Sequence, residues 1–312
     1  MAKTKTMAVK QHARFKAPSD RIFDTVNIIF MILLMAFTLY PFLNTFAVSL
    51  NEASDSVRGG IYLWPRAFTW ENYHYVFNEA TIFHATLISV LRTLIGTVTS
   101  VFCCAMVAYT ISRPEYVLRK FVSIAFILTM YFSGGLIPNF LLIRELGMLG
   151  SFSVYIIPGL IGVFNIIVIR SFIEGLPEGI LESARIDGAG EFATFLKVVL
   201  PLCVPVLATV SLFSAVGQWN SWFDVFLYNS SYKELSTLQY ELMKILQNSN
   251  TSLNSGQDFA SQFAASESGA NRVTPTSIRA TMTIVASVPI ILVYPFLQKY
   301  FVKGMTLGGV KG

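Results

Sequence analysis

Residues Glu182–Pro201 read ESARIDGAGEFATFLKVVLP, a charged, glycine-punctuated segment in a chain that is otherwise strongly apolar. Just upstream lies Pro177, whose missing N–H is harmless in the first turn of a helix. Glu178 and Glu182 fall toward that N-terminal end, where negative charge is favourable. Ile180, Leu181 and Ala184 give the short helix one apolar face, and Gly188 or Gly190 can close it in the left-handed conformation. A second short amphipathic helix, about 191–198, then leads to Pro201. The pattern predicts a helix–turn–helix along a membrane face, presenting a knob of Ile180, Leu181, Ala184 and Ala189. Such a knob suits a groove in another protein. It suits equally a connector that rests on lipid headgroups.

Outward from this segment the chain is built for lipid. It is 54% hydrophobic and 13% charged, whereas ordinary soluble domains carry about 25% charged residues. The apolar residues gather into six runs, about 26–50, 83–111, 121–143, 152–173, 201–228 and 279–301. Each reaches the roughly 20 residues that cross a bilayer. The expected fold class is an all-α membrane protein with six transmembrane helices. Its parts are a tail over 1–25, a membrane domain over 26–301 and a tail over 302–312. Within the domain lie a loop over 174–200 and a large outer loop over 229–278.

The net charge of +5 could suggest nucleic acid, but the positions of the charges argue against it. With the N-terminus inside, 15 of the 23 Lys and Arg fall on inside segments, 7 fall outside and Arg92 lies within a span. This positive-inside pattern places both termini in the cytoplasm, where a basic surface meets anionic headgroups. The start, MAKTKTMAVKQHARFKAPSDR, resembles that of a signal peptide. The apolar run after it exceeds the roughly 7–15 residues of a signal core, so it reads as a retained first span. Cys103, Cys104 and Cys203 form no metal-ligand pattern and read as small packing residues.

Several loops carry their own signals. YLWPRAFTWENYHYVF, in the first outer loop, suits the headgroup interface. MYFSGGLIPNF reads either as a break in span three or as a Gly-Gly kink that packs. In LSTLQYELMKIL, Leu235, Leu238, Leu242, Ile245 and Leu246 recur at helical spacing. The Ser- and Asn-rich stretch that follows reads as an exposed loop. A polar segment of this length is more often functional or disordered than filler.

No G-x-x-x-x-G-K-[ST] loop is present to cradle ATP, and no H-E-x-x-H to hold zinc. The chain reads as a non-enzyme with no metal site. The residues alone leave open an ion-coupled secondary transporter and a membrane assembly factor. The first normally buries ionisable groups for its coupling ion. Here only Arg92 is buried by sequence, with Asp224 near an outer end.

The segment Glu182–Pro201 resembles the cytoplasmic signature of ABC transporter import permeases: Glu-Ala-Ala, three residues, Gly, nine residues, Ile-x-Leu-Pro. Glu182-Ser183-Ala184, Gly188 and Val198-Val199-Leu200-Pro201 keep the spacing, with Ser183 for Ala and Val198 for Ile as departures. ARIDGAGEFATFLKVVLPL resembles most the smaller, six-span subunit of the maltose-type carbohydrate class; GQWNSWFDVFLY and the ending KYFVKGMTLGGVKG extend the resemblance and point to its oligosaccharide-importing Gram-positive branch.

The resemblance implies a permease in a bacterial cell membrane that binds no cofactor. A second homologous permease and a cytoplasmic ATPase dimer carrying ATP and Mg²⁺ would complete it. An extracytoplasmic sugar-binding protein would deliver sugar near loop 229–278. Residues Ile180, Leu181, Glu182, Ala184, Asp187, Gly188 and Pro201 would form the coupling element, with Ala184 in a groove of the ATPase and the helix running on into span five through Pro201. Sugars are held by aromatic faces and by amide or carboxylate hydrogen bonds. The candidates are Asn165 and, in one helix of span five, Gln218, Trp219, Asn220, Trp222 and Asp224. Trp219 and Trp222 also fit an interface belt, and Asn165 a helix–helix hydrogen bond.

Overall fold

Every apolar run becomes helical, but only some form single rods. The computed structural model describes residues 18–78, 80–254 and 274–309. Helix α1 (Pro18–Ser49) is followed by the short α2 (Ala53–Val57) and α3 (Glu71–Asn78), then by α4 (Ala80–Ser112). Next come α5 (Arg119–Tyr131), α6 (Leu136–Glu145), α7 (Val163–Ile173) and α8 (Glu178–Ile186). Helix α9 (Glu191–Leu202) precedes α10 (Val204–Asn220). The chain ends with α11 (Phe223–Tyr228), α12 (Leu238–Asn254) and α13 (Pro275–Gly309). The described residues contain no strand, only an isolated bridge between Asn51 and Phe68.

Three helices are long and apolar enough to cross a membrane, and the total reaches six if each of three bent pairs is one span. The bends have local causes. Between α5 and α6 the axis turns by 117°, and Gly135 there adopts φ 88°, open only to glycine at low cost. MYFSGGLIPNF is therefore a break. The short turns of 152–159 meet α7 at 47°. Helix α9 meets α10 at 82°. Pro205 lacks an N–H for the residue 201 carbonyl, so the helical ladder cannot run unbroken through this point and the chain turns at Cys203, the N-cap of α10. This corrects the expectation of a straight run from the loop through Pro201 into span five.

The main core joins α4, α7, α9 and α10 through Ala108, Ile166, Ile169, Phe195 and Val210, all nearly inaccessible. At the opposite end from α8, Trp219, Leu238 and Met282 bury a second cluster. The start of the 229–278 segment is docked there: Ser89 Oγ accepts from the Leu238 N–H at 2.9 Å, and Tyr155 donates to the Leu235 carbonyl at 2.6 Å. The helical reading of LSTLQYELMKIL holds from Leu238 onward, while Leu235 ends a separate short turn. The Ser- and Asn-rich stretch lies largely, and the N-terminal tail mostly, outside the described residues. The C-terminal tail continues α13 as far as Gly309.

Candidate functional site

Two places gather the residues singled out above. The first is a cavity of about 320 Å³ between α4, α7, α10 and the 152–159 turns. Arg92 of α4 is its pivot, with a side chain only 2% exposed. Its guanidinium grips Asp224 through two bonds, 3.2 Å to Oδ1 and 2.5 Å to Oδ2. It also donates to Gln218 Oε1 at 3.1 Å and to the Ser221 carbonyl at 3.3 Å, and it lies 4.5 Å above the Tyr155 ring. Ser221 Oγ and the Val225 N–H further bond Asp224 Oδ1. The pair is thus electrically balanced and fastens α4 across the gap between α10 and α11.

That gap is another correction. GQWNSWFD does not occupy one helix: α10 stops at Asn220, Ser221 is extended, and α11 begins at Phe223. The break sorts the candidates. Asn165, Gln218 and Asp224 line the cavity together with Ser100, Ser214 and Tyr228. Asn165 also donates to Ser214 Oγ at 3.2 Å. Trp219 points the other way, buried, and its indole N–H donates to the Ala286 carbonyl of α13 at 2.9 Å. It is neither a cavity residue nor a belt residue. Asn220 turns outward and accepts from Gln239 at 3.2 Å. Trp222 meets the Phe223 ring edge-on and packs against a third cluster, which includes Ile88, Tyr155 and Val225. Sequence reasoning missed Tyr155, Tyr228, Ser214 and Gly96. A β-carbon at Gly96 would lie 2.8 Å from Gln218 Nε2, so this glycine makes room for the amide.

The second place is the loop after α7. Helix α8 ends in a Schellman closure: Ala189 N–H donates to the Ala184 carbonyl and Gly188 N–H to the Arg185 carbonyl, each at 3.0 Å. Gly188 takes φ 77°, as its place past the helix end requires. Pro177 is the N-cap rather than a first-turn residue. The apolar face turns inward. Leu181 and Ala184 are buried, and Leu181 joins the main core. They cannot also fill a partner's groove, which corrects the knob described above. Ile180 is half-buried, while Glu182, Asp187 and Gly188 are exposed. The large apolar groups most outward are Ile186, 79% exposed, and Phe192, 62% exposed.

Charged contacts tie this loop to α4. Arg185 reaches Glu115 at 2.6 Å and Glu191 at 3.3 Å. Tyr109 of α4 donates to Glu191 at 2.5 Å. The Arg185 hydrogen bond holds the Glu115 carboxyl below the usual carboxylate range. The Arg185–Glu115 and Tyr109–Glu191 links span 70 and 82 residues and leave no periodic trace in the sequence.

A glycine-closed helix between apolar runs is the arrangement by which the family can be recognised, and its family model matches residues 6–307. The chain belongs to the binding-protein-dependent transport system inner membrane components. A polygalacturonan/rhamnogalacturonan transport system permease of Bacillus subtilis is 37% identical over 94% of this chain and 99% of its own length. An arabinooligosaccharides permease of Halalkalibacterium halodurans is 28% identical over 88% of this chain and 91% of its own. A solved bacterial ABC transporter involved in importing the acidic polysaccharide alginate contains a similar chain. Its TM-score is 0.80 at 30% identity, covering 92% of this chain and 99% of that one. The protein is thus a membrane permease of the type I ABC import fold, and ion coupling gains no support.

Proposed function

We propose that this permease is one of two membrane subunits that import oligosaccharides, fed by an external sugar-binding protein and driven by a cytoplasmic ATPase dimer that holds ATP and Mg²⁺. The observation that carries the reading is the cavity, whose wall offers hydroxyl, amide and phenol groups around a charge-balanced Arg92–Asp224 pair. A few convergent polar groups in a concave site set orientation and specificity. At about 320 Å³ it holds part of a sugar chain at a time. The relatives named for polygalacturonan, rhamnogalacturonan and arabinooligosaccharides support the substrate class.

In this reading the ATPase docks on the outward face of the 174–200 loop, where Glu182, Ile186, Asp187 and Phe192 are exposed. Displacement passes to α4 through Arg185, Glu115 and Glu191. The test is uptake into proteoliposomes containing the assembled transporter, with binding protein outside and ATP inside. Uptake should require both. Uptake driven by a proton or sodium gradient without ATP would overturn the proposal. Both termini are assigned to the cytoplasm. A cysteine at exposed Ser231 should react with an impermeant reagent in intact cells and one at exposed Ser183 should not; the reverse result would invert the topology.

A further inference from the structure

The chain beyond α1 does not simply leave the membrane. It folds back. Gly59 and Gly60, at φ 72° and 71°, take left-handed conformations that let it turn. A hydrogen-bond network around buried Asn51 and Asn72 then fixes the returning segment. Asn51 donates to Asp55 at 2.9 Å and to Ser56 at 3.0 Å, and accepts from the Ala67 N–H at 2.9 Å. Asn72 donates to the carbonyls of Ser49 and Asn51 at 3.0 and 2.8 Å. Arg66 bonds Asp55 at 3.0 Å and the Gly59 carbonyl at 2.7 Å. The Asn51 hydrogen bond, with help from Arg66, lowers the Asp55 pKa, so this carboxylate stays charged.

All this order holds out a ledge of three large, largely apolar side chains. Tyr62 is 66% exposed, Leu63 51% and Trp64 82%. Asn44 of α1 donates to the carbonyls of Ile61 and Tyr62 at 2.6 and 3.0 Å. It lies five residues before the last residue of α1, about 7.5 Å back along the axis at 1.5 Å per residue. The ledge therefore hangs beside the span. It continues the exposed apolar surface of Phe42, Leu43 and Phe46.

We propose that Tyr62-Leu63-Trp64 is a lipid anchor that enters the headgroup layer at this end of α1 and sets the depth of that helix. Interfacial segments sink about 5–10 Å, the depth Asn44 defines here. Tyr and Trp are the residues favoured at that boundary. The backbone also fits: carbonyls entering a water-poor layer need internal donors, and Asn44 satisfies two of them. Pro65 brings no N–H to leave unpaired. This inference is independent of which substrate the permease carries.

The test uses the full chain in nanodiscs of phosphatidylethanolamine and phosphatidylglycerol, with or without lipids brominated high on the acyl chain. Trp64→Phe replaces an outward ring, so the emission it removes is the Trp64 signal. That signal should be lost with brominated lipid and resist aqueous iodide. Asn44→Ala should free the ledge and reverse that order. A Trp64 signal quenched by iodide and untouched by brominated lipid would overturn the anchor. So would iodide quenching that disappears only when binding protein or partner permease is added, because the ledge would then be a protein docking site. An Asn44→Ala chain with the parent's quenching would overturn the depth-setting role given to Asn44.

Discussion

Replacing Asp224 by Asn removes one charge and preserves the shape. The Oδ1 atom can still accept from Ser221 and from the Val225 N–H, so the first turn of α11 survives. The loss falls on Arg92, whose side chain is 2% exposed against 22% for Asp224. Stranding one member of a buried pair costs about 3–5 kcal/mol. Arg92 keeps its bonds to Gln218 and the Ser221 carbonyl and its place over Tyr155, which favours the lower end, about 3 kcal/mol. At about 2–4 °C per kcal/mol, Tm should fall by roughly 6–12 °C.

The reverse change, Arg92→Met, leaves a carboxylate that water reaches, and should cost less. In the double variant no charge is stranded. Its loss should fall short of the sum of the single losses by about 2 kcal/mol, well inside the range seen for residues in contact. The assay is thermal unfolding of the purified transporter, run beside ATP-driven uptake. Uptake should stay low in the double variant, because stability returns without the cavity's polar wall. Strictly additive losses, or an Asp224→Asn chain as stable as the parent, would refute the account of the pair as one buried unit.

Gly188→Val should cost roughly 1 kcal/mol or more through its positive φ and loosen the ATPase while the spans stay inserted; undiminished co-purification of the ATPase would count against the docking assignment. Trp219→Phe loses one buried hydrogen bond to the Ala286 carbonyl, about 0.5–1.5 kcal/mol, and should leave the apparent KM for sugar unchanged; a raised KM would return Trp219 to the pathway. Because Arg185 lowers the Glu115 pKa, their link is complete above the normal carboxylate value and fades only as pH falls through the lowered one. Sugar-stimulated ATP hydrolysis in the parent and in Glu115→Gln should therefore keep a constant ratio from about pH 5 to 8; a ratio that drifts across that window would show that another group titrates the loop.

The spans were legible because bilayer thickness imposes a length that composition reveals, and α1, α4 and α13 show it directly. The bends were legible only in part. Ser133-Gly134-Gly135 marks a break as readily as a packed kink, and only the 117° turn decides between them. The Arg92–Asp224 pair was not legible at all. A buried guanidinium demands a partner, but the partner lies 132 residues away, and periodicity carries no information across that distance.

The 174–200 loop shows the deeper limit. Spacing correctly marks α8 as amphipathic, since Leu181 and Ala184 share a face three residues apart. An apolar face must be covered, yet the hydrophobic effect is non-directional and does not say by what. The same stripe serves a partner's groove or the chain's own core. The core takes it here, because α9 turns back beneath α8 and sets Phe195 and Val199 in the same cluster as Leu181. What remains for a partner is the opposite face, with Glu182, Ser183 and Ile186 outward. A glutamate at the start of the signature and small residues around it thus have separate jobs: Ala184 lets the helix sit close to its own membrane domain, and Glu182 is left free for whatever docks below. On that division Ala184→Trp should damage the chain's own packing and lower Tm, whereas Glu182→Gln should leave Tm unchanged and weaken only the ATPase. If Glu182→Gln lowers Tm and Ala184→Trp lowers only ATPase binding, the two faces have been assigned the wrong way round.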